Sequence, residues 1–209
     1  IAKIRADATP MRRLGEPVPE FDFAVPGVMS MSVDLHKFGY ANKGISLVLL
    51  HDKALEAHQH TSFGDWPAGV YSTANITGSR SGGPLASAWA VMNYLGEEGY
   101  LRIFSAQRDI KRRLMAGVEE IDGLEIIARP HALHFYFTAR DFDIFAVETG
   151  MAAKGWSATR AEQPDSIMLW VNMSHQEEVE NYLRDLRAVV ADVRAGRIEA
   201  ATDSVVYVT

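Results

Sequence analysis

Hydrophobic and polar positions alternate over residues 28–34, with Met29, Met31 and Val33 on one face and Ser30, Ser32 and Asp34 on the other. A period of two with a β-branched member predicts a strand. This strand delivers His36-Lys37 to its carboxyl end, and Gly39 then breaks it. A second strand is predicted over residues 45–50, apolar enough to be buried on both faces. Before the pair, Met11-Arg12-Arg13-Leu14-Gly15 closes a helix, and Pro17, Pro19 and Pro26 hold the chain extended or turned. After it, a short helix over residues 53–58 gives way to a loop of aromatic and small residues. A helix over 85–95 ends at Gly96, and a long one over 99–120 has Leu101, Phe104, Ile110, Leu114 and Val118 as core positions. Strands are predicted over 124–128, 132–138 and 166–173, the first two separated by Arg129-Pro130. Asp141 or Asp143 caps a helix on which Ile144, Val147 and Met151 share a face, closing at Gly155. Ser174 and Glu177 form a capping box for the last helix, whose apolar stripe is Val179, Leu183, Leu186, Val190 and Val193, and Gly196 ends it.

The paired strands place Lys37 where a solvated ammonium is hard to accommodate. Desolvation lowers a lysine's basicity, and a neutral amine attacks a carbonyl to form a Schiff base. A lysine at a strand end also snorkels to water, and the local pattern leaves both readings open. The loop Gly78-Ser79-Arg80-Ser81-Gly82-Gly83-Pro84 runs into a helix, an arrangement that offers backbone N–H groups to an anion. It is not a P-loop, because no Gly-Lys-Ser/Thr follows, and tight packing of a helix on a sheet explains its glycines equally well. His51, His58 and His60 match no helix-face pair of metal ligands and are expected to be solvated loop residues. His131 and His134, three apart on a strand, point to opposite faces. No metal site is therefore expected.

Composition narrows the classes. The 209 residues are 47% hydrophobic and 10% aromatic, enough for a sizeable core in one large domain or one and a half. A formal charge of −6 without a basic stripe argues against a nucleic-acid partner. With no cysteine there is no disulfide framework, thiolate nucleophile or cysteine zinc site. Apolar runs fall far short of the ~20 residues that span a bilayer, and residues 1–10 lack the hydrophobic region of a signal peptide. A soluble, cytoplasmic protein without a transmembrane segment is expected. The chain does not begin with Met, so a fragment or an incompletely observed chain is expected too.

The segment Ser32-x-Asp34-x-His36-Lys37-Phe38-Gly39-Tyr40-Ala41-x-Lys43-Gly44 resembles the lysine segment of the group II pyridoxal-phosphate decarboxylase family, above all that of its sphingosine-1-phosphate lyase branch. Residues 20–25 resemble the approach to that segment. Asp65-Trp66-x-x-Gly69-x-Tyr71 followed by Gly78-Ser79-Arg80-x-Gly82-Gly83 resembles the same branch, as does Asp141-Phe142-Asp143-Ile144 with Ala153-Lys154-Gly155-Trp156. The first ten residues do not.

The resemblance implies an α/β fold, part of the fold-type I pyridoxal-phosphate-dependent transferase large domain followed by a small α+β C-terminal domain. Residues 1–104 would be the later part of the cofactor-binding domain, its upstream half absent, and residues 105–209 the small domain. Lys37 would carry pyridoxal 5'-phosphate covalently, with His36 contacting the cofactor phosphate or supporting its ring. Ser79 would reach the cofactor phosphate of a neighbouring subunit, which implies a homodimer with shared active sites, while Arg80 fixes the loop. Lys43 matches a lysine implicated in catalysis near the substrate phosphate. The small-molecule amine substrate would be a phosphorylated long-chain amino alcohol, cleaved to a fatty aldehyde and phosphoethanolamine. Two alternatives stand beside the lyase: a glutamate-type amino-acid decarboxylase, and an inactive fragment needing a complementary chain. No position matches the family's upstream aspartate on the pyridine nitrogen, its ring-stacking residue or its phosphate loop.

Overall fold

The computed structural model describes residues 12–74, 77–128 and 132–201. The expectations placed on Met11, Arg129, Pro130 and His131 lie outside these residues. The chain divides into two compact units, Ile1–Tyr100 and Leu101–Thr209.

In the first unit the alternating stretch forms β1 (Ser30–Asp34), which pairs antiparallel with β2 (Ser46–Leu50) in a register that sets Met31 against Leu49 and Asp34 against Ser46. The expectation that the second strand is buried on both faces fails, because the two form a two-stranded sheet and Val48 is 59% exposed. Burial on both faces needs layers above and below, which the described residues do not supply to this hairpin. The predicted short helix is a 3-10 helix, Lys53–Gln59, started by Asp52, whose carboxylate accepts from the Ala54 N–H at 2.8 Å. The aromatic loop hides a second hairpin, β3 (Thr61–Phe63) with β4 (Tyr71–Thr73), on which the rings of Phe63, Trp66 and Tyr71 gather. A helical run, α1 (Gly82–Glu119), crosses from the first unit into the second. Gly96 interrupts it with φ 56° and ψ −173°, a left-handed φ that glycine adopts without penalty, so the predicted break between two helices is present. Leu35, Ala41 and Ala88 form the small core of this unit, flanked by half-buried Val33, Ile45, Leu47 and Met92.

The second unit is built on a four-stranded antiparallel sheet of order β5-β6-β8-β7. Its strands are β5 (Leu124–Ala128), β6 (His134–Ala139), β7 (Thr159–Ala161) and β8 (Ser166–Trp170). Two helices follow the sequence pattern, α2 (Ile144–Ala153) and α3 (Val179–Arg194). Asp143 caps α2 by accepting from the Phe145 N–H at 2.8 Å, while Asp141 pairs with Arg194. Ile144, Val147 and Met151 are buried together, as their spacing predicts. The capping box before α3 falls elsewhere than expected. Asn172 accepts from the Ser174 N–H at 2.9 Å, and His175 Nδ1 accepts from the Asn172 N–H at 3.1 Å, around the 3-10 turn Met173–His175. Glu178, at the start of α3, makes no side-chain cap. Ser174 is not the cap because it lies inside this turn, its hydroxyl donating to Asn172 Oδ1 at 2.5 Å. The core joins Leu114 and Val118 of α1, Phe135 and Phe137 of β6, Val147 of α2 and Leu186 and Val189 of α3, all at most 0% exposed. Glu148 and Arg160 form an ion pair at 2.8 Å at its edge, the guanidinium also lying over the Phe145 ring at 5.1 Å.

Candidate active site

The turn after β1 is a short piece of chain held at many points. The Lys37 N–H donates to Asp34 O at 3.2 Å, the Tyr40 N–H to Lys37 O at 3.0 Å and the Ala41 N–H to Leu35 O at 3.0 Å. Leu35 and Ala41 sink into the small core against Ala88 of α1, which anchors the turn from below. A Cβ on Gly39 would lie 2.5 Å from the Leu35 carbonyl oxygen, so the turn closes only around a glycine. Tyr40 takes φ 58°, a left-handed conformation rare for a bulky residue that survives only where the surroundings enforce it. Three contacts to α1 do so: Tyr100 OH donates to Gly39 O at 3.0 Å, the Asn42 N–H donates to Ser87 Oγ at 3.3 Å, and Gly44 packs by Pro84.

Lys37 rides on this platform. Its side chain is 61% exposed and its Nζ lies 2.8 Å from Asp34 Oδ2. The expectation of an amine hidden between two core strands is therefore corrected: the strand pair ends before Lys37, and the turn carries the side chain outward. Asp34 Oδ1 accepts from Ser46 Oγ at 2.6 Å, across the register that makes the two residues direct strand partners. The bond from Lys37 and the bond from Ser46 hold the Asp34 carboxyl below the usual carboxylate range. His36 is half-buried, with Nδ1 3.0 Å from Ile45 O. A carbonyl only accepts, so Nδ1 carries the proton and Nε2 is the nitrogen left to meet a ligand. An accessible primary amine beside an oriented imidazole is a donor set that fits an aldehyde cofactor.

The other predicted site residues are exposed. Lys43 lies on the same platform, one residue before Gly44, whose φ is 98°. Ser79 sits in the loop that precedes α1, after Gly78 with φ 64°. Asp34 and Ser46 are site residues that the sequence does not flag: Asp34 signals itself only by its i, i+3 spacing from Lys37, and Ser46 only through the strand register. Two of the histidines expected in loops sit beside ordinary neighbours, His51 edge-on to Phe23 and His60 4.0 Å from Glu56. A hollow of about 530 Å³ lined by Phe23, Met29, His51 and Leu55 contains none of Lys37, His36, Lys43 or Ser79.

No family model matches the chain. The sphingosine-1-phosphate lyase of Arabidopsis thaliana is 42% identical over 184 residues, which is 88% of this chain and 34% of that protein. The solved structure of a sphingosine-1-phosphate lyase from Burkholderia pseudomallei superposes with a TM-score of 0.84 at 37% identity, covering 90% of this chain and 43% of that one. Glutamate decarboxylase from Lactobacillus brevis superposes with a TM-score of 0.72 over 90% of this chain and 46% of its own, at 19% identity, a likeness of fold alone. The chain spans about a third of the length of the curated relatives it matches. Among the described residues no helix is long and apolar enough to cross a membrane. With its fold-type I likeness and this run of relatives, the chain belongs to the group II pyridoxal-phosphate-dependent decarboxylase family, in the branch of the sphingosine-1-phosphate lyases.

Proposed function

We propose that the chain is the later part of a pyridoxal-phosphate-dependent carbon–carbon lyase that cleaves a phosphorylated long-chain amino alcohol to a fatty aldehyde and phosphoethanolamine. The observation that carries this reading is the 42% identity to a sphingosine-1-phosphate lyase across 88% of the chain, lysine platform included. When bound, pyridoxal phosphate supplies the electron sink for a carbanion at the amine-bearing carbon. Lys37 is the residue that holds it, and the fixed turn sets where that amine points. His36, its ring oriented by Ile45, presents Nε2 to the cofactor. Lys43, exposed on the same platform, meets the substrate phosphate, where a cation suits a phosphate dianion. Ser79 meets the cofactor phosphate of a second copy, so the working assembly is a homodimer with shared sites. Both compact units belong to this machinery, the first to the cofactor-binding domain and the second to the small C-terminal domain.

Borohydride reduction of the protein with pyridoxal phosphate, followed by peptide mapping, is expected to place a pyridoxyl group on Lys37. An unmodified Lys37 beside a cofactor fixed elsewhere would overturn the assignment. Assay of candidate substrates for aldehyde against carbon dioxide separates the lyase from a decarboxylase. Lys43→Ala is expected to impair turnover of the phosphorylated amino alcohol by at least tenfold, the worth of about 1.4 kcal/mol in the transition state; undiminished turnover would remove the lyase preference.

A further inference from the structure

We infer that Asp34 is the positioning residue for Lys37, a carboxylate that receives the lysine ammonium whenever the amine is not bonded elsewhere, with Ser46 holding that carboxylate in place. The inference deepens the reading of Lys37 as the cofactor lysine and rests on it for its role in turnover, though the pairing itself does not.

Three features of the structure converge on it. The carboxylate is divided between two partners, one oxygen 2.8 Å from Lys37 Nζ and the other accepting from Ser46 Oγ at 2.6 Å. Asp34 is the last residue of β1 and Ser46 the first of β2, directly opposed in the register, so the hydroxyl is delivered by strand pairing rather than by a mobile loop. Lys37 is held three residues further on by the bond from its own N–H to Asp34 O, which ties the backbone of the same two residues together. Asp34 is thus fixed from across the sheet, and Lys37 is fixed relative to it.

The consequence is chemical. A lysine that bonds an aldehyde must be released when substrate takes its place and must later attack again. A released ammonium needs a place to wait that keeps it near the site and out of the substrate's path. A carboxylate three residues back on a rigid turn is such a place. The pair also holds the resting ammonium in one place beside the turn. Loss of Asp34 therefore leaves an amine that is unmasked and less well placed. No bond is made or broken in this role: the ammonium and the carboxylate stay ionised while they pair.

The test measures the amine without any cofactor. The full chain is labelled with limiting acetic anhydride across pH 6 to 10, and peptide masses give the labelling rate of Lys37 relative to Lys43. Removing this exposed ion pair unmasks the amine, so relative labelling of Lys37 is expected to rise about two- to fivefold in Asp34→Asn at neutral pH. Ser46→Ala should give a smaller change in the same direction, and Asp34→Glu should restore most of the protection. Equal labelling of Lys37 in the wild type and Asp34→Asn, with both folded by circular dichroism, overturns the proposal. Borohydride trapping of pyridoxal phosphate on the same variants reads the cofactor assignment separately. A wild type that shows the labelling contrast but takes no pyridoxyl group on Lys37 would keep the pairing and sink the cofactor lysine. A wild type that takes the pyridoxyl group without the contrast would do the reverse.

Discussion

At Lys37 the chemistry is set by neighbours that the linear order only half reveals. His36 and Lys37 stand out because their residue types and the surrounding motif are local. Asp34 is local too, but its hold on the lysine depends on a turn closing and on Ser46 arriving from another strand. Lys37 has an ion pair in place of the desolvation its sequence position suggests, because the side chain leaves the sheet at the turn. Gly39 shows how tightly that turn is drawn. Gly39→Ala would drive a methyl group into the Leu35 carbonyl, and overpacking of this kind costs about 1–3 kcal/mol. Urea denaturation of the variant is expected to show that loss, together with weaker trapping of pyridoxal phosphate on Lys37. An unchanged urea midpoint would mean that the backbone yields at little cost.

Among the elements, length separates what was legible from what was not. The helices carry enough turns for an apolar stripe to repeat, so α2 and the break of α1 at Gly96 are readable within a residue or two, and so is the end of α3, whose N-cap falls four residues after Ser174. The strands β3, β4 and β7 are three residues each, too short for a period of two to register. The cap before α3 departs from the sequence pattern for a related reason. Ser174 and Glu177 fit the capping pattern, but Asn172 and His175 fit the same spacing once the chain enters a 3-10 turn. Asn172→Ala is therefore expected to cost about 1 kcal/mol in urea unfolding, and Glu177→Ala to stay within about 0.5 kcal/mol. The reverse order would restore the pattern-based cap. In the core, Leu114→Ala on α1 should cost about 2–5 kcal/mol, since the side chain is 0% exposed and its cavity cannot fill with water.

Over the whole molecule the two units differ in what holds each together. Among the described residues the second unit gathers a continuous core from α1, the sheet, α2 and α3, whereas the first centres on Leu35, Ala41 and Ala88. Stability follows buried apolar area, so amide hydrogen exchange is expected to be slowest on β6, β8 and α3 and much faster on β1 and β2. Equal protection of the two hairpin strands would show that the first unit draws stability from elsewhere. The second unit should also be acid-sensitive. His134 is half-buried against Tyr136 and Trp170, its Nδ1 lacks a hydrogen-bond partner among the described residues, and burial followed by the charge of Lys111 lowers its basicity below the ordinary 6.5. The unfolded chain then binds the proton more readily, so this contribution is fully present above about pH 6.5 and is lost as the pH falls through the lowered value. Urea midpoints compared at pH 7.5 and 5 should show a smaller acid loss in His134→Phe than in the wild type.

The amino-acid order alone determined the lysine segment, the long helices and the alternation of β1, because each depends on residue type and on spacing within a few turns of chain. Only the tertiary structure decided that β1 and β2 form a half-open antiparallel pair, that Lys37 faces solvent, and that Asp34 is braced by Ser46. Those outcomes depend on which strand lies opposite which, and strand pairing joins residues far apart in sequence that no local period encodes.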